Sequence, residues 1–375
     1  MKDTIEHTID RMLLRQNELL QTQNELLQQL IAQKNSAPEK NLLPDEKIFV
    51  DDLWRDEIRG GYVVTAQRKR LWNIQLNLIA EVERICTKHN IRWFAYGGTL
   101  LGAARHKGFI PWDDDVDISM LRPDYEKFKR VIVEEIKPPY FVDAWYDYRL
   151  EDEEPAVDKN FQQFVKHDQR TKHPTWWPFW PIIKLKDSRT TFVQYLDRPH
   201  VHQGIWIDIF PFDPVPPFAT RNQAKIFEVE REMMHAMARP DTIRKALAEN
   251  KPLLVNRDDL KKFLALPHRT KARVIDDYFA KNFHPDTVNV GQVRGHTLAK
   301  HPQYYALKNF SQTVYLPFEL MKIPAPVGWE DCLKSQYGNW RKPVFAKPHA
   351  KVFSADFSYR DFFSKADIGK IDKFQ

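Results

Sequence analysis

The chain has 375 residues, 42% hydrophobic and 29% charged, which is room for two or three structural units of ordinary globular composition. Its formal net charge of +6 is small and spread along the sequence, which argues against a dedicated nucleic-acid surface. Cys86 and Cys332 stand in no paired spacing, excluding a disulfide framework and a cysteine zinc site, while the absence of an apolar leader or of a run of ~18 apolar residues points to the cytoplasm, with at most peripheral contact at the inner face of a membrane.

Residues 1–34 stand apart. The pentapeptide Asn-Glu-Leu-Leu-Gln at 17–21 recurs at 24–28, and Ile5, Met12, Leu19 and Leu26 form one heptad row beside Leu13, Leu20 and Leu27. A sustained seven-residue apolar repeat predicts a coiled-coil helix and therefore a homo-oligomer. A membrane-surface helix would carry a basic face, but this segment has four Lys/Arg against five Asp/Glu. Residues 35–64, with Pro38, Pro44, Gly60 and Gly61, read as a linker. Thr65 then opens an amphipathic helix whose apolar stripe is Leu71, Ile74, Leu78, Val82 and Ile85, closing near Asn90.

Ile91 to Tyr96 reads as a strand ending at Gly97-Gly98, with Thr99 capping a short helix. Val116 to Met120 is a second strand, followed by a helix that presents Tyr125, Phe128, Val131 and Ile132. Further strands are expected at 141–146, 182–186, 191–195 and 205–210. The catalytic core is thus expected over 65–219, a helical insertion over 220–300, and a completing C-terminal part over 301–375. The expected class is α/β with a mixed sheet.

The chemistry concentrates in aspartates. On a strand, residues two apart share a face, so Asp115 and Asp117 would project together while Val116 and Ile118 are buried. Downstream, Asp208 sits in an otherwise apolar strand between Ile207 and Ile209, where a carboxylate is costly unless compensated. Two carboxylates ~4 Å apart repel by about 4 kcal/mol at an effective dielectric of 20, and neither strand contains a basic residue to pair with them. Mg²⁺, with Mn²⁺ as an alternative, would relieve that repulsion and bridge substrate phosphates, giving Asp115, Asp117 and Asp208 as metal ligands and catalytic residues. The competing reading has Asp113 and Asp114 capping a loop, with Asp115 and Asp117 facing solvent.

The run Tyr96-Gly97-Gly98-Thr99-Leu100-Leu101-Gly102, continuing through Arg105-His106-Lys107-Gly108-Phe109-Ile110-Pro111-Trp112 to Asp113-Asp114-Asp115-Val116-Asp117-Ile118, resembles the LicD/fukutin family of phosphotransferases within the nucleotidyltransferase superfamily. Gln203-Gly204-Ile205-Trp206-Ile207-Asp208-Ile209-Phe210-Pro211 resembles that family's second block. A looser third block comprises Ile323-Pro324, Tyr337-Gly338 and His349. The resemblance spans roughly 65–350 and leaves out the heptad helix. It implies a nucleotidyltransferase-like core and transfer of phosphocholine, or a similar phospho-alcohol, from a CDP-linked donor to a hydroxyl of a surface glycan or lipid-linked glycan. The Gly97-Gly98 turn would admit donor phosphates close to backbone N–H groups.

Around this centre, Arg105 and Lys184 are candidate phosphate contacts, and Lys184 and Lys186 share a strand face. His106 is a candidate acid or base. Trp112, Trp177 and His349 are candidate contacts to the acceptor or to choline. Trp177 belongs to an unusual run, His173 to Pro181, that could also stack on sugars, meet a lipid interface or simply pack on the core. Two other functions fit the same sequence: nucleotidyl transfer onto a small molecule, and a non-catalytic scaffold acting through residues 1–34.

Overall fold

A computed structural model describes residues 47–144, 182–194, 202–215, 240–266, 268–281, 285–292, 304–345, 349–350 and 352–365. The heptad segment 1–34 and the tryptophan run with Trp177 lie outside the described residues.

The organising element is α1 (Ala66–His89), which follows its sequence signals closely. The Thr65 side chain accepts from the Arg68 N–H, and Asn90 closes the helix at φ 52° in the left-handed region, a conformation asparagine tolerates. Leu71, Ile74, Leu78, Val82 and Ile85 are all buried, so the predicted stripe is the face against the sheet. The stretch expected as a linker departs from that reading once it enters the described region. Residues 57–64 form a hairpin of β1 (Glu57–Arg59) and β2 (Tyr62–Val64). Gly60 and Gly61, at φ 56° and 80°, make its turn and not a flexible joint, because two consecutive positive-φ residues match the twist of a tight hairpin. Val50, Leu53 and Val64 are buried, and the Asn73 side chain accepts the N–H of Phe49 at 2.7 Å.

The main sheet is mixed. It runs β5 (Tyr140–Ala144), β6 (Ile183–Asp187), β8 (Trp206–Pro214), β4 (Asp117–Leu121), β3 (Phe94–Ala95), with β7 (Thr191–Val193) in a separate pair with β13 (Val352–Ser354). β4 and β8 are parallel, whereas β3–β4, β6–β8 and β5–β6 are antiparallel. β8 is long enough that its end also pairs with β9 (Asn289–Gly291), which carries β10 (Tyr304–Ala306). β3 is much shorter than expected because the chain turns into α2 (Gly97–His106) immediately afterwards. α3 (Arg122–Glu135) follows β4 and buries Tyr125, Phe128 and Ile132.

The stretch expected to be helical contains α4 (Pro240–Ala248), α5 (Arg257–Ala265) and α6 (His268–Lys281). α6 is tied to the sheet by charge. Arg122 donates Nε and Nη2 to Asp213 at 2.6 and 2.9 Å and Nη1 to Asp276 at 2.6 Å, all three residues being buried. The hairpin of β11 (Thr313–Phe318) and β12 (Met321–Pro326) precedes α7 (Trp329–Tyr337), and α8 (Tyr359–Lys365) ends the described chain.

Candidate active site

The aspartate cluster rests on the sheet's parallel pair. Asp117 begins β4 and stands directly across from Asp208 on β8. Asp115 lies two residues before the strand, contrary to the alternation argument, so its side chain is aimed by the loop and not by strand pleat. That loop is tightly held. The Asp113 carbonyl accepts from Arg68 Nη1 at 2.7 Å and Trp72 Nε1 at 3.0 Å, and the Asp114 carbonyl accepts from Gln75 Nε2 at 2.9 Å. These donors all come from the buried side of α1. A polar residue inside an apolar helix face was the signal that could have found them, since a buried amide or guanidinium must have a partner. The strand backbone is equally engaged: Asp117 N–H donates to Thr99 Oγ1 at 2.9 Å, and Asp208 N–H donates to the Val116 carbonyl at 2.8 Å. Thr99 therefore holds the aspartate strand and does not cap its helix, which begins two residues earlier with Tyr96 at the cap position.

Gly97 and Gly98 are required by close approach. A Cβ on Gly97, whose φ is 55°, would lie 2.7 Å from Asp117 Oδ2, and one on Gly98 would lie 2.6 Å from Asp113 Oδ2. The two carboxylates thus sit against the first turn of α2, where the helix dipole favours negative charge. Burial pushes the Asp113 carboxyl well up, reinforced by the charges of Asp115, Asp117 and Asp114. Burial likewise raises Asp115, with His349 opposing. Carboxyls displaced in this way mark negative charge in need of a cation. Among the described residues, Asp113, Asp114, Asp115 and His349 each bring a ligand atom within 4.8 Å of the others, so the cluster could hold a divalent cation. Hard carboxylate oxygens suit that use.

Asp113, which sequence reasoning assigned only to a loop, belongs to this cluster. Asp114 has another setting. Both its oxygens accept from the His349 N–H, at 3.0 and 2.9 Å; Oδ2 also accepts from the Ala350 N–H at 3.0 Å, and Oδ1 pairs with His349 Nδ1 at 3.0 Å. Burial alone would raise its carboxyl, but the bonds from His349 and Ala350 hold it below the ordinary value. The same side-chain bond to Asp114 raises His349 to about 9 against the opposing effect of burial.

Several expected contacts are placed otherwise. Lys184 lies on β6 opposite Asp208 and donates to its Oδ1 at 2.5 Å, while 4.3 Å from the Trp206 ring centre. Asp208 therefore does have a basic partner, on a neighbouring strand that sequence alone did not pair with it. Lys186, also buried, donates to the His202 carbonyl and pairs with Asp143. Arg105 donates to the carbonyls of Trp340 and Lys342 at 2.8 and 3.3 Å, so its guanidinium anchors the segment after α7 in place of a free phosphate clamp. His106 accepts from Arg105 Nε, and burial, with the charges of Arg105 and Arg59, lowers it to about 4; it is a neutral acceptor at pH 7, not an acid. Trp112 is 6% exposed and packs on Phe345, with ring centres 4.3 Å apart, and on Tyr62; it offers no free face to choline because Phe345 occupies it. Tyr337 ends α7, and its hydroxyl is raised well above the ordinary range by burial of that end of the ring, then by the charges of Tyr96, Asp117, Asp113 and Asp115. It looks onto the cluster from the C-terminal part.

Residues 90–224 match the family model described as LicD/FKTN/FKRP, nucleotidyltransferase domain. That stretch contains the glycine turn, the aspartates and Lys184, and leaves out His349. The lipopolysaccharide cholinephosphotransferase LicD of Haemophilus influenzae is 24% identical over 268 residues, covering 71% of this chain and 88% of that protein. Residues 90–224 thus carry a LicD-type nucleotidyltransferase domain, and the similarities support a phosphotransferase of the LicD/fukutin type. The human and mouse ribitol 5-phosphate transferases FKRP are each 33% identical over 111 residues, which is 29% of this chain and 21% of theirs. The segment matched by the family model holds the glycine and aspartate core, and the mixed α/β fold is the frame that holds it.

Proposed function

We propose that the protein transfers a phospho-alcohol, phosphocholine in the first instance, from a CDP-linked donor to a hydroxyl of a cell-surface glycan. The observation that carries this reading is the pairing of Asp117 with Asp208 across parallel strands, with the Gly97-Gly98 turn closed on Asp117 and Asp113. Phosphocholine is favoured over ribitol phosphate because the similarity to the cholinephosphotransferase runs over 88% of that protein, whereas that to the ribitol 5-phosphate transferases covers 21% of theirs.

Asp115 and Asp117, with Asp113 beside them, would hold Mg²⁺, which when bound neutralises pyrophosphate charge. The α2 N-terminus faces the donor phosphates, and the glycines leave room for their approach. The acceptor oxygen forms a bond to the phosphorus that carries choline. The bond from that phosphorus to the oxygen of CMP breaks, and CMP leaves with the electron pair. Asp208, held in place by Lys184, accepts the hydrogen of the attacking hydroxyl and orients it along the line of displacement. The lysine leaves less of the Asp208 charge for the cation than the sequence reading assumed. Residues 1–34 are read as a self-association helix. No helix among the described residues is long and apolar enough to cross a membrane, and the enzyme would meet a lipid-linked acceptor from the cytoplasmic face.

CMP release is measured from CDP-choline, CDP-ribitol and CDP-glycerol, with Mg²⁺ or EDTA. Mg²⁺-dependent release from one donor, lost in Asp117→Ala, supports the reading and names the cargo. Nucleotide label on the acceptor would replace it with nucleotidyl transfer. Silence on all donors, with no nucleotide binding by calorimetry, would leave a scaffold.

A further inference from the structure

The three consecutive aspartates form one acidic run in sequence, yet their surroundings differ. Asp113 and Asp115 lie in a mutually repelling cluster, with Asp113 against Gly98. Asp114 is 0% exposed, and its oxygens are already claimed by the N–H groups of His349 and Ala350 and by the His349 ring. A carboxylate that accepts this many hydrogen bonds has few lone pairs left for a cation. The His349 Nδ1 that pairs with it also lies 3.4 Å from Asp115 Oδ2. The Nδ1 side of the ring is thus engaged by the aspartate loop.

We infer that Asp114 is a positioning residue: it clamps residues 349–350, 235 positions away in sequence, onto the aspartate loop and sets the His349 ring beside Asp115. Nδ1 is used in that clamp. Nε2, the other nitrogen of a half-exposed ring, is left for an oxygen of the substrate. The site is therefore completed from the C-terminal part of the chain, outside the segment that matches the family model. This rests on the phosphotransfer reading for its kinetic consequence but not for the clamp itself.

The test compares Asp114→Asn, His349→Ala, the double variant and Asp115→Asn in the full-length protein. Three quantities are followed: amide exchange at 349–350, Mg²⁺ affinity by calorimetry, and CMP release from CDP-choline. The clamp predicts that Asp114→Asn speeds exchange at 349–350 by at least about 10-fold and keeps Mg²⁺ affinity within about 3-fold, whereas Asp115→Asn weakens it far more. In kcat/KM, Asp114→Asn and His349→Ala each lose about 10–100-fold, the range seen for groups that orient a ligand from behind. The double variant loses no more than the worse single, because the two act as one unit. A purely structural Asp114 would instead give additive losses. Loss of Mg²⁺ binding in Asp114→Asn to the extent of Asp115→Asn, unchanged exchange at 349–350, or additive kinetics would each overturn the inference. If Asp114→Asn does not fold, Ala350→Pro removes one clamped donor and leaves Asp114 in place. It should speed exchange at His349 and lower CMP release with Mg²⁺ affinity kept, and no change would again overturn the clamp. Absence of CMP release in the wild type would count against the phosphotransfer reading, while the exchange and Mg²⁺ arms would still decide the clamp.

Discussion

Arg122 offers a quantitative test of how α6 is docked on the sheet. Its guanidinium, 1% exposed, makes a two-pronged contact with Asp213 and a third bond to Asp276, themselves 2% and 1% exposed. In Arg122→Met, Lys129 still faces Asp276 at 2.6 Å, so the loss falls mainly on Asp213. Removing one partner of a buried pair costs about 3–5 kcal/mol, chiefly because the other charge is left without compensation. For 375 residues unfolding together at ~2.1 cal/mol/K per residue, that amounts to a Tm lower by about 4–6 °C. The sign with pH is also determined. Burial raises Asp213 even with Arg122 in place, and Asp276 and Glu126 push the same way. An acid raised in the folded state destabilises progressively as pH rises from its unfolded value through its folded one. The deficit of Arg122→Met should therefore be larger at pH 8 than at pH 5, read by thermal melts at both. A drop under about 1 °C, or one that does not change with pH, would refute the idea that an uncompensated buried carboxylate sets the cost.

Gly97→Ala and Gly60→Ala both place a side chain at φ near +55°, where a left-handed backbone costs about 1–2 kcal/mol. Only at Gly97 does the new Cβ meet a neighbour, Asp117 Oδ2, so similar losses in Tm should accompany at least a 10-fold loss of CMP release at Gly97 alone. Glu319→Ala removes the acceptor shared by Arg59 and the Phe109 N–H, bonds worth about 1.5–3 kcal/mol each to a charged group at most, less here for the partly exposed arginine. Chemical denaturation should show a net loss of about 1–3 kcal/mol. Replacing Leu19 and Leu26 by Lys should lower the mass seen by light scattering if the heptad row joins copies of the chain, and an unchanged mass would remove that reading.

Local patterns carried much of the fold. The α1 stripe, its Thr65 and Asn90 ends and the Asp117 strand were readable because they depend on residues a few positions apart, whose periodicity is visible in the chain. The glycine turn and the aspartates were readable for the same reason, since chemistry that needs close approach concentrates small and charged residues in a short run. What the linear chain could not display is pairing across distance. Lys184 reaches Asp208 because β6 lies against β8, which removes the premise that no base stands beside that aspartate. Trp112 is covered because Phe345 arrives from the far end of the chain, and Arg105 is occupied by carbonyls more than 230 residues away. Gly60 and Gly61 signal a break equally well in a linker or a hairpin, and only the burial of Val50, Leu53 and Val64 decides between them. Composition and spacing state which groups must be compensated; tertiary packing alone determines which partner does it, because burial cost and Coulomb attraction depend on distance in space and not along the chain.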